Sequence, residues 1–366
     1  MADRIRIGLV GASVKGTWSA RAHLPALQAH PDFELTAVCT TKAETAEAAR
    51  AAFGARLAFD DYRKMVASPE IDAVAIVVRV PSHAEPTRAA LEAGKHVYCE
   101  WPLARNTDEA LELTALAQAK GAVTAVGLQA RLHPTLLHMK ELIENGYVGE
   151  IMAVHVSLLT GGILSKPPGR LWQWDAGVGA NTLTIASGHT LDAMRFVAGE
   201  IDHLSALVST QAKEWLDTGT GKTVAVNAPD NVLASGRLRN GAVFSLHVAA
   251  IPFSGSGYRF EIYGRDGTLV ASGPESPQMS EVFLHGAKAG GDLAPLPVPE
   301  RIAGADHGRP FSEAINVGRV YALFAEAIRG GKGRQPTFET AVDLHRLLDS
   351  MRRSSESGRR EAGFQS

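Results

Sequence analysis

Five short apolar, β-branched runs occupy the first third of the chain, and alanine-rich stretches with helical spacing lie between them. The runs are Arg4–Val10, Glu34–Thr40, Ile71–Val78, His96–Cys99 and Val123–Leu128. The helical stretches are Trp18–Ala29, Ala43–Phe53, His83–Ala93 and Thr107–Lys120. Strands apolar on both sides must be covered on both faces, and a helix between successive strands makes them parallel. Residues 1–128 are therefore expected to form a doubly wound α/β dinucleotide-binding domain of Rossmann type, with ligands beyond the carboxyl ends of the strands.

Residues 129–366 carry a different pattern. A helical stretch, Thr135–Asn145, precedes strand-like alternation at Ile151–Leu159, His203–Thr210, Asn231–Arg239, Ala242–Ala250 and Tyr258–Tyr263. Asn240-Gly241 is a hairpin signal, and Arg265-Asp266-Gly267 marks another turn. This pattern predicts a second domain built on an open, mostly antiparallel sheet with one solvent-facing side. Such a face suits contact with a second copy of the chain, as a homodimer or homotetramer. Phe311–Arg329 and Phe338–Arg353 read as closing helices, and the polar tail after them reads as mobile.

The chain's 366 residues leave room for two cores, and a net charge of −2 gives no basic surface for nucleic acid. No apolar run reaches membrane-spanning length, and MADRIRIGLVG enters a strand without a signal-peptide pattern. Cys39 and Cys99 fall in apolar runs, as buried thiols in a reducing compartment do, so the expected location is the cytoplasm. The 13 histidines are not clustered at metal-ligand spacing, and no metal is expected.

The first strand runs into Gly11-Ala12-Ser13-Val14-Lys15-Gly16, a G-x-G-x-x-G turn with serine in the middle place. Gly11 permits the tight turn, and Gly16 is expected to let the helix approach the sheet. Phosphates would lie over the backbone of Gly11, Ser13, Val14 and Gly16, at the positive end of the following helix. The second strand ends in Thr40-Thr41-Lys42, without the acid that takes a ribose 2′-hydroxyl. Two hydroxyls and a cation suit a 2′-phosphate, so NADP is favoured, with NAD the alternative.

Three further stretches carry candidate ligand groups. Ser165–Asp175 is rich in proline and glycine, and Lys166, Trp174 and Asp175 combine an aromatic face with polar groups of the kind that hold a sugar ring; the alternative is a loop whose tryptophans pack onto the sheet. In Ser187–Asp192, His189 and Asp192 stand three apart and share a face if the segment is helical, so Asp192 would orient the imidazole. Gln129 follows the fifth strand and is placed to meet a nicotinamide amide or the substrate. Arg131 is either a substrate contact or a helix-start cation in a surface ion pair.

Across nearly its whole length the chain resembles the glucose–fructose oxidoreductase/inositol dehydrogenase (Gfo/Idh/MocA) family. The resemblance rests on GLVGAS, PSHAEPTRAALEAGKHVYCEWPLA at 81–104, GLQARLHP at 127–134, SGHTLDAMRFV at 187–197, EIYGRDGTL at 261–269, and the closing QPTFETAVDLHRLLDSMRRSSESG. The tryptophan after Glu100, the GLQ-x-R segment and T-x-x-S-G-H-T-L-D resemble a narrower branch, that of the fungal galactose-pathway repressor. The family resemblance implies NAD(P)-dependent chemistry on a sugar or cyclitol carbon lying between the two domains. It places Trp101 where the family carries its catalytic lysine, and Ile185 where it carries an aspartate. His189 is retained and becomes the expected general acid/base, its imidazole titrating near ~6.5 when unperturbed. Glu100 is implied to fix the turn near the nicotinamide, and Pro102 to hold Trp101 extended. Trp101 would stack on nicotinamide or sugar; an indole donates a hydrogen bond but exchanges no proton. The branch resemblance implies an alternative, a catalytically inactive regulatory protein that senses a dinucleotide or sugar.

Overall fold

The computed structural model describes residues 3–304, 308 and 310–364. The chain divides into two compact units: Met1–Gln129 with Ser312–Val342, and Ala130–Phe311 with Asp343–Ser366.

The first unit is built on six parallel strands, β1 (Ile5–Val10), β2 (Phe33–Cys39), β3 (Leu57–Phe59), β4 (Ala73–Ile76), β5 (His96–Glu100) and β6 (Thr124–Gly127). Their order is β3-β2-β1-β4-β5-β6, with the chain reversing direction across the sheet between β1 and β4. The inner strands are buried nearly throughout, which explains their unbroken apolar character. Strand β3 is absent from the sequence reading because three half-buried edge residues leave no periodic signal. Helices Ala43–Phe53, Ala84–Glu92 and Thr107–Lys120 connect the strands. Asn106 caps the last of these by accepting from the Glu109 amide at 2.9 Å, and Gly121 ends it at φ 61°.

Ser312–Val342 returns to this first unit, so the expected single block 129–366 is corrected. The reason is aromatic packing. Helix Glu313–Ile328 presents Tyr321 and Phe324, both fully buried, to Phe33 and Tyr98. Tyr98 stacks on Tyr321 with centroids 4.8 Å apart, and Phe33 on Phe324 at 6.3 Å. Burying each such side chain stabilises by about 1.5–3 kcal/mol. An Arg329–Asp32 ion pair and a Val126 amide donating to Pro336 O at 2.8 Å close the same contact.

The second unit holds β7 (Ile151–Thr160), β8 (Ser165–Lys166), β9 (Ile201–Ser209), β10 (Glu214–Asp217), β11 (Thr223–Ala225), β12 (Asn231–Leu238), β13 (Val243–Ala250), β14 (Gly257–Gly264), β15 (Gly267–Gly273), β16 (Phe283–Lys288), β17 (Ala294–Pro295) and β18 (Glu361–Ala362). Nine form one sheet in the order β17-β16-β15-β14-β7-β13-β12-β9-β18, antiparallel except for the β7–β13 pair. Strands β11, β10 and β8 form a separate small sheet. The Asn240-Gly241 turn joins β12 to β13, with Gly241 at φ 93°.

Alternation along the large sheet buries Val154, Val156 and Leu158 of β7 with Phe244, Leu246 and Val248 of β13. The opposite face carries the cross-strand row Leu207, Leu233, His247, Ser157, Arg259, Ser272 and Phe283, with Leu207, Leu233 and Phe283 exposed. Among its described residues the tail is not loose, contrary to the expectation from its polarity. Strand β18 adds to the edge at β9, and Arg353 Nη2 binds Glu361 at 2.9 Å. Among the described residues, no helix is long and apolar enough to cross a membrane.

Candidate functional site

Because all six strands of the first unit are parallel, the segments following them share the sheet's carboxyl edge. The turn after β1, the tip of β2, the turn after β5 and the residue after β6 are therefore gathered there, as dinucleotide-binding sheets require. This brings together Gly11–Gly16, Thr40–Lys42, Glu100–Trp101 and Gln129.

Gly11 sits at φ 95°, and a Cβ there would lie 2.3 Å from Val77 O; only glycine fits. Its amide donates to Cys39 O at 2.9 Å, tying the turn to β2. Ser19 Oγ donates to Gly11 O at 2.8 Å and accepts from the Ser13 amide at 3.4 Å. Val14 and Gly16 are exposed. Gly16 corrects an expectation. Nothing lies within 4 Å of a Cβ built on it, so it is required by its φ of 49° and not by close helix packing.

At the tip of β2, Thr40 Oγ1 shares a hydrogen bond with Thr45 Oγ1 at 2.6 Å and donates to Lys42 O at 3.0 Å. Thr41 and Lys42 are exposed. Two carboxylates also stand near this tip, from the turn after the neighbouring strand β3, and add to the burial that raises the Cys39 thiol pKa. Each has a local partner at one oxygen: Asp60 Oδ1 pairs with Lys64 at 3.1 Å, and Asp61 Oδ1 accepts from the Arg63 amide at 2.9 Å.

Glu100, expected among the cofactor contacts, has its carboxylate turned inward. It is held by His23 Nε2 at 2.9 Å and by the Tyr98 hydroxyl at 3.1 Å. Trp101 follows with 4 % exposure, and the Trp101–Pro102 peptide is cis. His83, fully buried, faces Pro102 O at 2.8 Å and Val78 O at 3.1 Å. Burial outweighs these carbonyl contacts and holds its imidazole below the usual histidine range. Gln129 has 1 % exposure, and its Oε1 is buried with no hydrogen-bond partner among the described residues. A buried orphan acceptor calls for a donor, and the carboxamide of a nicotinamide supplies one. The residues at this edge thus fit a dinucleotide.

In the second unit, His189 lies on helix Ser187–Ala198 with 5 % exposure. Residues 182–186 wind into this helix in a wider turn, started by Asn181 accepting from the Thr184 amide at 3.2 Å. Asp192 does not give its carboxylate to His189 as expected. Both of its oxygens accept from Arg131, with Nε at 2.8 Å, and Asp192 is wholly buried. Arg131 is correspondingly no surface cation, and its guanidinium also lies 5.1 Å over Phe196. The pair satisfies itself because a carboxylate in a dry helix face requires a bidentate donor.

Ser165–Asp175 is β8 followed by tight helical turns with no buried residue. Trp174 is 43 % exposed, so it is not packed onto the sheet. Its carbonyl accepts from the Asn227 and Ala228 amides, both at 3.1 Å, and Asn227 Nδ2 reaches Asp175 Oδ1 at 3.3 Å. Lys166 Nζ lies 5.4 Å over the Trp215 ring and donates to Gly162 O at 3.3 Å; burial, then Arg170, lowers its pKa. His23, His83, Tyr321 and Asn227 escaped the sequence reading. Only His83 carried a signal, its place in the 81–104 block. Among the described residues, no group of three or more His, Cys, Asp or Glu could hold a metal.

The fold and this edge define a two-unit dinucleotide-binding protein with an appended antiparallel sheet. Residues 5–128 match the oxidoreductase family with an NAD-binding Rossmann fold, and residues 134–273 match the Gal80p C-terminal domain. The chain is 30% identical over 378 residues to dehydrogenase aclE of Aspergillus oryzae, with 98% of each covered. It is 27% identical to the galactose/lactose metabolism regulatory protein GAL80 of Saccharomyces cerevisiae, over 97% of this chain and 93% of that protein. A super-repressor mutant of Gal80p from that yeast superposes with a TM-score of 0.86 at 26% identity, covering 98% of each chain. Levoglucosan dehydrogenase of Pseudarthrobacter phenanthrenivorans is 27% identical over 77% of each. The chain belongs to the Gfo/Idh/MocA oxidoreductase family and carries a Gal80-like C-terminal domain.

Proposed function

We propose that this protein is an NAD(P)-dependent oxidoreductase acting on a hydroxyl or carbonyl of a sugar, sugar derivative or cyclitol, with NADP favoured. The observation that carries it is the carboxyl edge of the parallel sheet, where a glycine-only turn and the buried orphan acceptor of Gln129 lie after strands of one sheet. The names of aclE and levoglucosan dehydrogenase support the reaction class.

A bound nicotinamide supplies hydride transfer. The chain's own residues do the rest. The backbone of Gly11, Ser13, Val14 and Gly16 takes the pyrophosphate, and Gln129 Oε1 accepts from the carboxamide. Thr40, Thr41 and Lys42 take the 2′-phosphate, with Thr41 and Lys42 exposed at the tip of β2. Trp101 contributes an apolar face, and Trp174, Lys166 and Asp175 contribute sugar contacts. A ring nitrogen of His189 takes or gives the substrate's hydroxyl proton, a role worth about 10²–10⁴-fold. Arg131 and Asp192 support it as a pair.

NADPH and NADH titrations followed by fluorescence, then turnover of sugars, sugar acids and cyclitols, test this. NADPH should bind about tenfold more tightly, a preference of the size of one charge-assisted contact, and Lys42→Ala should remove it. His189→Ala should abolish turnover while binding survives. Dinucleotide binding with no turnover by the wild-type chain would overturn the enzymatic reading.

That outcome would favour the second reading, a regulatory protein that senses a dinucleotide or sugar. Two side chains favour it, since neither Trp101 nor Ile185 exchanges protons, and so does the Gal80p C-terminal match. It predicts partner recovery that depends on added dinucleotide. In either reading, the exposed Leu207, Leu233 and Phe283 support a homodimer or homotetramer formed through the large sheet, and two buried free thiols suit the cytoplasm.

A further inference from the structure

Glu100 is the last residue of β5 and directly precedes Trp101. Its carboxylate is gripped at one oxygen, Oε1, by two donors. The Tyr98 hydroxyl lies at 3.1 Å and His23 Nε2 at 2.9 Å. The Oε1 oxygen accepts, so Nε2 is the donor to it, and Nδ1 shares a hydrogen bond with the Tyr321 hydroxyl at 2.8 Å. Burial, with Glu100 next in size, pushes the Tyr98 and Tyr321 phenols well above the usual range, so both remain donors. His23, Tyr98 and Tyr321 are fully buried, and their rings lock edge-to-face: His23–Tyr98 at 5.2 Å and His23–Tyr321 at 5.7 Å.

The same helical turn, Ser19–His23, holds the glycine turn by a different residue, since Ser19 Oγ donates to Gly11 O at 2.8 Å. Two tethers thus leave one turn. Ser19 serves the pyrophosphate end, and His23 serves the strand end that carries Trp101. On the far side of Trp101, His83 grips the carbonyl of Pro102. Space for the Glu100 carboxylate exists only because residue 127 is glycine; a Cβ there would lie 2.3 Å from Oε1.

We propose that His23 and Tyr321 are positioning residues of the nucleotide site: through Glu100 they fix the turn bearing Trp101, and so govern the nicotinamide half of the cofactor while leaving the adenosine half untouched. This rests on the dinucleotide-binding reading above. Tyr321, 298 residues away from His23 in the chain, makes the helix Glu313–Ile328 a working part of the site.

The test pairs two substitutions of equal kind. His23→Gln places an amide N–H near the Nε2 position and keeps the donor to Glu100. His23→Asn reaches only the Nδ1 position and loses it. Affinities for NADPH and NADH are compared with those for 2′,5′-ADP and ADP, which lack the nicotinamide. His23→Asn should weaken both dinucleotides about tenfold, the equivalent of one ordinary hydrogen bond, with both fragments unchanged. His23→Gln should stay near wild type, and Tyr321→Phe, which keeps the aromatic stack, should fall between them. Equal loss in the Asn and Gln variants, or parallel loss of the fragments, would overturn the proposal. Wild-type chain that binds the fragments and neither dinucleotide would overturn it too. Wild-type chain that binds none of the four ligands would instead remove the reading on which it rests.

Discussion

The Arg131–Asp192 pair offers the sharpest test of the second unit's interior. Arg131→Met keeps most of the side-chain volume, removes the cation and leaves the Asp192 carboxylate with 0% exposure and no bidentate donor. Removing one partner of a buried pair costs about 3–5 kcal/mol, because the remaining charge stays in a dry site. In a unit of about 200 residues, 1 kcal/mol moves Tm by roughly 2–4 °C. The single variant should therefore melt roughly 6–20 °C lower in differential scanning calorimetry. Removing both charges in Arg131→Met/Asp192→Leu should restore most of the loss, to within about 2 kcal/mol of wild type, since a hydrophobic pair of similar volume carries no desolvation penalty. A single variant within about 1 kcal/mol of wild type, or a double variant worse than the sum of the singles, would refute the reasoning that the two charges hold one another in a dry site. The pair also fastens Arg131 to the helix bearing His189, so a large loss would account for Arg131 and Asp192 without any direct contact with substrate.

Further outcomes are expected. Burial lowers the pKa of His30, His83, His96 and His138, so the folded chain holds them neutral while the unfolded chain takes up protons near pH ~6.5. Their contribution is complete above that value and is lost as pH falls below it. The urea midpoint should drop between about pH 7.5 and pH 5.5, before most carboxylates titrate; a flat midpoint would contradict the assignment. Gly127→Ala should destabilise the first unit by about 1–3 kcal/mol in thermal melts, because the Glu100 carboxylate it meets at 2.3 Å is pinned by His23 and Tyr98 and does not swing away cheaply. Leu207→Glu should give a smaller species by light scattering, since Leu207 and its cross-strand partner Leu233 are exposed on the large sheet; an unchanged mass in a protein that is oligomeric as wild type would place the interface elsewhere.

Local sequence carried the parallel sheet, the glycine turn and the antiparallel character of the second unit. Strand patterning and turn glycines are set by neighbours a few residues away, so Gly11, the β2 tip and the Asn240-Gly241 hairpin were legible directly. Pairing across long separations was not. Asp192 read as a partner of His189 because helical spacing made them neighbours, whereas the structure gives its carboxylate to an arginine 61 residues away. Helix Glu313–Ile328 read as part of the second domain by position in the chain, yet Tyr321 and Phe324 bury themselves in the first. His23 looked like an ordinary helix residue until the fold set Glu100 and Tyr321 on its two nitrogens. Periodicity determines which face of an element must leave water; which distant polar group then meets a buried histidine or carboxylate depends on how the elements close on one another, and only the folded chain decides it.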